Sequence, residues 1–357
     1  DAVEPLLSLY TSLGSPKERA VALELSADLV FVAEVGPTLR ARLLEVLRQG
    51  LLDREPTVRS VALRCLGEWG DAGDASALAG LAISNDNDLS RAAVRALELL
   101  GKRSPEAVEQ VLSRISEEGA HGVALATITA GIGGRGAVDR LQRLMSSDHA
   151  DVRRASVVGL GKVGGSRAKS LLAIGLADED PDVQIVAAQA LGRLRDDQGS
   201  VQVDELLLAL ESDLGHVRAA VARALGDSGS ALAVAPLRDL LRDPESGVAV
   251  AAVEALGRLG SQELAQRLEP ALLHSDSEVV KAALRGLSEW RDPTAIDALL
   301  GALSHPAWDV RQLSAELIGD LGDARALPGL SAQLARETDD LVRLALSDAY
   351  ARLGGEG

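Results

Sequence analysis

In the stretch DVRRASVVGLGKVG at 151–164, Val152, Ser156, Leu160 and Val163 form a small or apolar stripe, with charged and polar residues between them. The stretch DVQIVAAQALGRLR at 182–195 repeats that stripe with Val183, Ala187, Leu191 and Leu194. Spacing of four, four and three predicts an amphipathic helix with one buried face. After each such stretch comes a shorter apolar run, as in ALAVAPLRDLL at 231–241 and TAIDALLGAL at 294–303, which predicts a second helix. Helix starts are signalled by Asp-Pro at 180–181, 243–244 and 292–293 and by Glu-Pro at 55–56. An acidic N-cap satisfies orphan amides, and proline at the first helical position has no amide to leave unpaired. Helix ends are signalled by Gly70, Gly101, Gly164, Gly260, Gly322 and Gly354, which accept a left-handed cap.

The helical phrase recurs at a spacing of about 31 residues. It reads TVRSVALRCLGEWG from 57, DLSRAAVRALELLG from 88, HVRAAVARALGDSG from 216 and GVAVAAVEALGRLG from 247. EVVKAALRGLSEWR follows from 278, DVRQLSAELIGDLG from 309 and LVRLALSDAYARLG from 341. PKERAVALELS, within 3–27, and HGVALATITAGIGG at 121–134 fit more loosely and complete about eleven antiparallel helix pairs. A unit of this length cannot bury its apolar side alone, so neighbours must stack. Residues 1–36 are expected to form an N-terminal capping unit, with ADLVFVAEVGP at 27–37, including Phe31, folded back over the first core. Residues 37–357 are expected to form one continuous array.

Two places break the pattern. RDDQGSVQV at 195–203 carries a three-residue insertion and predicts a longer acidic turn. Residues 115–136 hold Gly119, Gly122, Gly131, Gly133, Gly134 and Gly136. Each glycine inside a helix costs up to about 1 kcal/mol relative to alanine. That predicts a soft interior point, unless the glycines serve closer helix packing.

The D-V-R-x-A-A-x-x-A-L-G core and the G-D-x-x-A-x-x-x-L linker, seen as GDARALPGLSAQL within 319–335 and RDPTAIDALLGAL at 291–303, resemble the HEAT-repeat superfamily. The likeness covers roughly 55–354 and is to the short HEAT-like units named after phycobilin lyases. It implies an all-α, right-handed superhelical solenoid whose second helices line a concave side. The family includes bilin-attaching lyases, hydroxylases, DNA-repair glycosylases and plain scaffolds, so the fold does not choose a function.

Composition narrows the choice. Apolar residues make up 46% of the chain but aromatic ones only 2%, so Ala, Leu and Val must do the packing, and a deep aromatic-lined ligand pocket is disfavoured. A net charge of −16 and a pI near 4.8 repel phosphate backbones, which opposes nucleic-acid binding. No apolar run approaches the ~18 residues of a membrane span. The single Cys65, in VALRCLG, reads as a small core residue and has no internal disulfide partner. A cytoplasmic location is expected.

The candidate chemistry lies at equivalent positions of the phrase, counted from its valine. The residue after it recurs as Arg59, Arg153, Arg218, Arg311 and Arg343: either an anion-binding ladder or, preferred here, a structural one paired to acids in adjacent turns, such as Asp148, Asp182 and Asp213, and linking neighbouring units. Six residues after the valine, Arg64, Arg95, Val158, Gln189, Arg223, Glu254, Arg285, Glu316 and Asp348 are expected to be exposed. Glu68, Asp227, Arg258, Glu289 and Arg352, four residues further on, mostly oppose their charges. Two residues after the valine, Arg154, Ile185, Ala219, Val250 and Lys281 either pack against the next unit or, given the concave placement the resemblance implies, present a shallow groove to a peptide.

Trp308, before the valine in HPAWDV, is the best single exposed contact candidate, whereas Trp69 and Trp290 occupy a core slot. His274 and His305, one repeat apart, do not make a metal site, since no acid or cysteine completes a ligand group. The absence of His-Glu dipeptides departs from the hydroxylases of the family. GIGGRG at 131–136 lacks a preceding strand and a Lys-Ser/Thr, and reads as a helix terminus. No catalytic constellation, metal or cofactor site is expected. The reading is a noncatalytic scaffold that binds a protein or peptide segment; the alternative is phycobilin-lyase-like chromophore attachment or a chaperone.

Overall fold

The computed structural model describes residues 10, 12–32, 36–84, 86–134, 136–195, 201, 203–260, 264–289 and 295–355. Among them are twenty-one α-helices and no strand. The chain divides into two compact units, one through Leu171 and one from Leu172 onward. The first contains α1 (Pro16–Val32), α2 (Pro37–Gly50), α3 (Pro56–Trp69), α4 (Ala75–Ala82), α5 (Asn87–Arg103), α6 (Pro105–Leu112), α7 (Gly119–Ile132), α8 (Ala137–Leu144) and α9 (Ala150–Val163). α10 (Ser166–Gly175) spans the boundary. The second contains α11 (Pro181–Arg193), α12 (Asp204–Ala209), α13 (Gly215–Ser228), α14 (Val234–Asp239), α15 (Ser246–Leu259), α16 (Leu264–Leu272), α17 (Ser277–Glu289), α18 (Ala295–Ala302), α19 (Trp308–Leu321), α20 (Leu327–Leu334) and α21 (Asp340–Arg352).

The odd-numbered helices carry the repeated phrase and the even-numbered ones are the short apolar runs. Within each unit every odd helix packs on the next odd one: α1 on α3, α3 on α5, α5 on α7 and α7 on α9, then α11 on α13 and so on to α21. Even helices other than α6 and α10 pack on the odd helix that follows, as α4 on α5, α14 on α15 and α20 on α21. α6, ahead of the glycine-rich α7, packs chiefly on α4 and α5 instead. Ten pairs, α2/α3 to α20/α21, follow α1. The first helix of an eleventh pair would fall largely on residues outside the described set.

The predicted stripe is the core. Val152, Ser156 and Leu160, like Val183, Ala187 and Leu191, are buried. Ser156 is tolerated there because its hydroxyl donates to the Val152 carbonyl at 2.7 Å. Cys65 is buried too, and burial pushes its thiol up to about 12, far from nucleophilic at neutral pH.

The Ala-Leu-Gly of the phrase has a packing purpose that the end-of-helix reading misses. In four repeats, at Gly67, Gly192, Gly226 and Gly319, its glycine sits inside the helix and lies against the alanine of the next repeat. A Cβ on Gly67 would stand 2.6 Å from the Ala96 Cα, one on Gly192 2.8 Å from the Ala224 Cα, and one on Gly226 2.7 Å from the Ala255 Cα. Real Cβ atoms do not approach backbone so closely, so these glycines set how near neighbouring odd helices come. Gly101 also lies within α5, where a Cβ would meet the Ile132 side chain at 2.6 Å. Gly70 ends α3 with φ −58°, held by its N–H donating to the Leu66 carbonyl, not by a left-handed turn. Gly164, Gly260, Gly322 and Gly354 take positive φ at helix ends; Gly322 is the left-handed cap expected, whereas Gly164 and Gly260, with ψ of −169° and 139°, leave the helix in a more extended turn.

Arginines lock the repeats together. Arg218 grips Asp243 with two bonds of 2.8 Å, and Arg311 grips Glu337 at 2.8 and 2.9 Å. Arg19 does the same to Asp53, while Arg59 reaches Asp86 at 3.7 Å. The acid lies in the turn of the next repeat, so these pairs link neighbouring units as expected, although Asp243 and Glu337 are not among the acids the sequence singled out. The other guanidinium arm donates to the carbonyl six residues back, as Arg59 to Asp53, Arg153 to Ser147, Arg218 to Ser212 and Arg343 to Glu337.

Asp243 consequently does not cap α15, which begins at Ser246 behind an N-cap at Glu245. Asp180 does cap α11, accepting from Asp182 and Val183. Residues 27–32 continue α1, whereas 33–35 lie outside the described residues, as do most of the 195–203 insertion, Trp290 and the Asp-Pro at 292–293.

Candidate functional site

All nine side chains six residues beyond the repeat valine are exposed, so within each unit the odd helices share one solvent face. Each unit has a groove on this face, between two consecutive odd helices. The groove between α3 and α5, in the first unit, measures about 820 Å³. Arg64, Arg91, Arg95 and Glu68 are among the residues that line it. Most of this charge is internally matched: Arg64 bonds Glu24 at 2.6 Å and Arg91 bonds Asp88 at 2.5 Å.

The groove between α19 and α21, in the second unit, measures about 550 Å³. Gln312, Glu316 and Asp320 form one wall; Leu341, Leu344 and Asp348 form the other. Arg352 bridges Asp320 at 2.9 Å and Asp348 at 2.8 Å. The same cross-helix pairing joins Arg223 to Glu254 and Arg258 to Asp227. Residue spacing reveals pairs four apart on one helix; it misses these lateral pairs between helices, because they depend on how the repeats stack.

The six candidate contact residues are placed unevenly. Arg154 is exposed on α9 and pairs with Asp151 at 2.8 Å. Ile185 and Val250 are half-buried. Ala219 is only 8% exposed, packed within its unit, and offers little surface. Lys281 is held by Asp309 at 2.6 Å and by Glu278 at 2.7 Å, an arrangement that raises its ammonium pKa. Trp308 is 47% exposed and opens α19 as its first helical residue. Leu341 is more exposed still and falls outside the sequence-based candidates. Its signal is legible nonetheless, since the position before the valine is polar in Asp88, Asp151, Asp182, Glu278 and Asp309.

His274 and His305 have a local task. Each Nδ1 accepts the N–H two residues on, from Asp276 and Ala307. Asp53, Asp178 and Ser212 close their own turns in that same slot. No group of three or more His, Cys, Asp or Glu among the described residues is placed to hold a metal. Gly133, with φ +68°, ends α7 within the GIGGRG stretch, as a helix terminus requires. No helix among the described residues is long and apolar enough to cross a membrane.

A family model for HEAT repeats matches residues 41–128, 106–192, 168–248, 203–288 and 274–351. Among solved structures, the complex of CpcE and CpcF of phycocyanin lyase from Nostoc sp. PCC7120 is similar at 23% identity, over 62% of this chain and 96% of that one, with a TM-score of 0.37. Kap121p is similar at 12% identity over 98% of this chain and 46% of that one, with a TM-score of 0.59. Importin beta is similar at 12% identity over 98% and 57%, with a TM-score of 0.51. The chain spans about half the length of these two, and the likeness is one of fold. No curated protein matches the sequence.

Proposed function

The chain belongs to the HEAT-repeat family, and from that premise we propose that it is a noncatalytic scaffold that binds a protein or peptide segment on the face of its odd-numbered helices. One observation carries this reading: both grooves described above run between successive odd helices and are lined by equivalent positions of the repeat. Shallow grooves bounded by paired charges and isolated apolar side chains suit a helical or extended segment better than a small molecule. Arg154, Ile185, Val250, Lys281 and Trp308 are the proposed contacts, with Ala219 offering little surface beside them. Net charge makes a nucleic-acid partner a poor fit. The setting proposed is the cytoplasm.

The test is affinity capture of the tagged chain from its native host beside a Trp308→Ala, Val250→Glu variant. A protein recovered with the wild type and absent from the variant supports the reading. A saturable absorbance change on titration with a bilin would replace it with a chromophore-handling role.

A further inference from the structure

We infer that the groove between α19 and α21 is a docking site for a basic amphipathic helix of a partner protein. The inference rests on the scaffold reading but goes beyond it, naming a place and a partner chemistry. Leu341 and Leu344 stand 55% and 69% exposed, one turn apart along α21, so they form a single apolar strip. Across from them α19 presents Gln312, Glu316 and Asp320 at intervals of four, all along one side of the helix.

Charge then chooses the occupant. Three carboxylates, Glu316, Asp320 and Asp348, face this groove with one cation, Arg352. Arg352 is already shared between Asp320 and Asp348. Glu316 receives only the neutral Gln312 amide, at 2.8 Å. A ligand with leucine-like side chains along one stripe and lysine or arginine on its flanks would cover the strip and supply the missing positive charge. An acidic ligand would meet repulsion. The α3/α5 groove lacks this combination, because its arginines outnumber its acids and no large exposed leucine lines it.

The experiment is a fluorescence-anisotropy titration of the full chain with a synthetic labelled helix carrying leucine on one face and lysine on its flanks. A matched helix with glutamate replacing lysine is the control. Two variants are compared, Leu341→Ser with Leu344→Ser, and Glu316→Gln with Asp348→Asn. All four side chains are exposed, so helicity and melting temperature should stay unchanged. The expected result is saturable, salt-sensitive binding of the lysine helix, weakened roughly tenfold or more by either variant, with no binding of the glutamate helix. No binding of the lysine helix, or equal binding by both variants and the wild type, overturns the inference. So does a wild-type dimer in sedimentation that the leucine variant dissociates, since the groove would then belong to a second copy. Capture through Trp308 and Val250 is read separately, so either result can fail while the other stands.

Discussion

At the scale of single residues, the tightest constraint is the contact of a glycine with its neighbour's alanine. A methyl group on Gly226 would press on the Ala255 backbone, which cannot swing aside as a side chain can. Gly226→Ala is therefore expected to destabilise by roughly 1–3 kcal/mol, the usual cost of overpacking. Gly301→Ala, at an exposed helical position with nothing within 4 Å of the new methyl, should be neutral or stabilising by up to about 1 kcal/mol. Urea unfolding of the two variants separates them. A second residue-scale effect is titration. The Arg311 guanidinium, helped by the Asp339 and Thr338 amides and the Gln333 side chain and opposed by burial, holds the Glu337 carboxyl down at about 2. A folded value below the ordinary one near 4.5 means the carboxylate contributes stability above pH 4.5 and loses it as pH falls toward about 2. Glu337→Gln should flatten the acid limb of the stability curve in that window, measured by thermal melts across pH.

At the scale of elements, α7 is the informative exception. Gly122 and Gly131 lie inside it at close contacts, the first 2.9 Å from a Val152 methyl and the second against the Glu98 side chain, for any Cβ placed there. Softness at 115–136 remains a proposal with a direct test: amides within α7 should exchange faster than those of α3 and α9, and equal protection would assign the glycines to packing alone. Periodicity by itself makes the helices and their inward faces legible, as Val183, Ala187 and Leu191 illustrate. It points to acids in adjacent turns but does not single out Asp243 for Arg218, because only the stacking of one repeat on another brings a given acid within reach. Glycine misleads for a related reason. A glycine at the end of an apolar stripe suggests a cap, yet Gly101 lies within its helix, and the reason for it lies on a neighbouring helix, at the Ile132 side chain. The groove is half legible: Leu344 stands out from its equivalents, but the acidic wall facing it belongs to the preceding repeat.

At the scale of the whole molecule, a chain with net charge −16 ties several of its arginines into cross-repeat pairs, while its acids outnumber its lysines and arginines by 53 to 37. Repulsion among those acids favours solubility and screens out polyanions. The glycine–alanine contact has a further consequence at this scale, because plug and socket sit two residues apart on every helix that carries both. Any such repeat is then interchangeable with its neighbour. Excising the 31 residues from His216 to Ser246 would remove Arg218 together with Asp243, and Ala224 together with Gly226. Gly192 would close on Ala255 in place of Ala224. The shortened chain is expected to fold with helicity reduced in proportion and no stranded buried charge, the exposed Glu254 and Arg258 keeping their own pairing at 3.8 Å, as circular dichroism and urea unfolding would show; a cut displaced by half a repeat would strand Arg218 and should collapse the array's cooperativity.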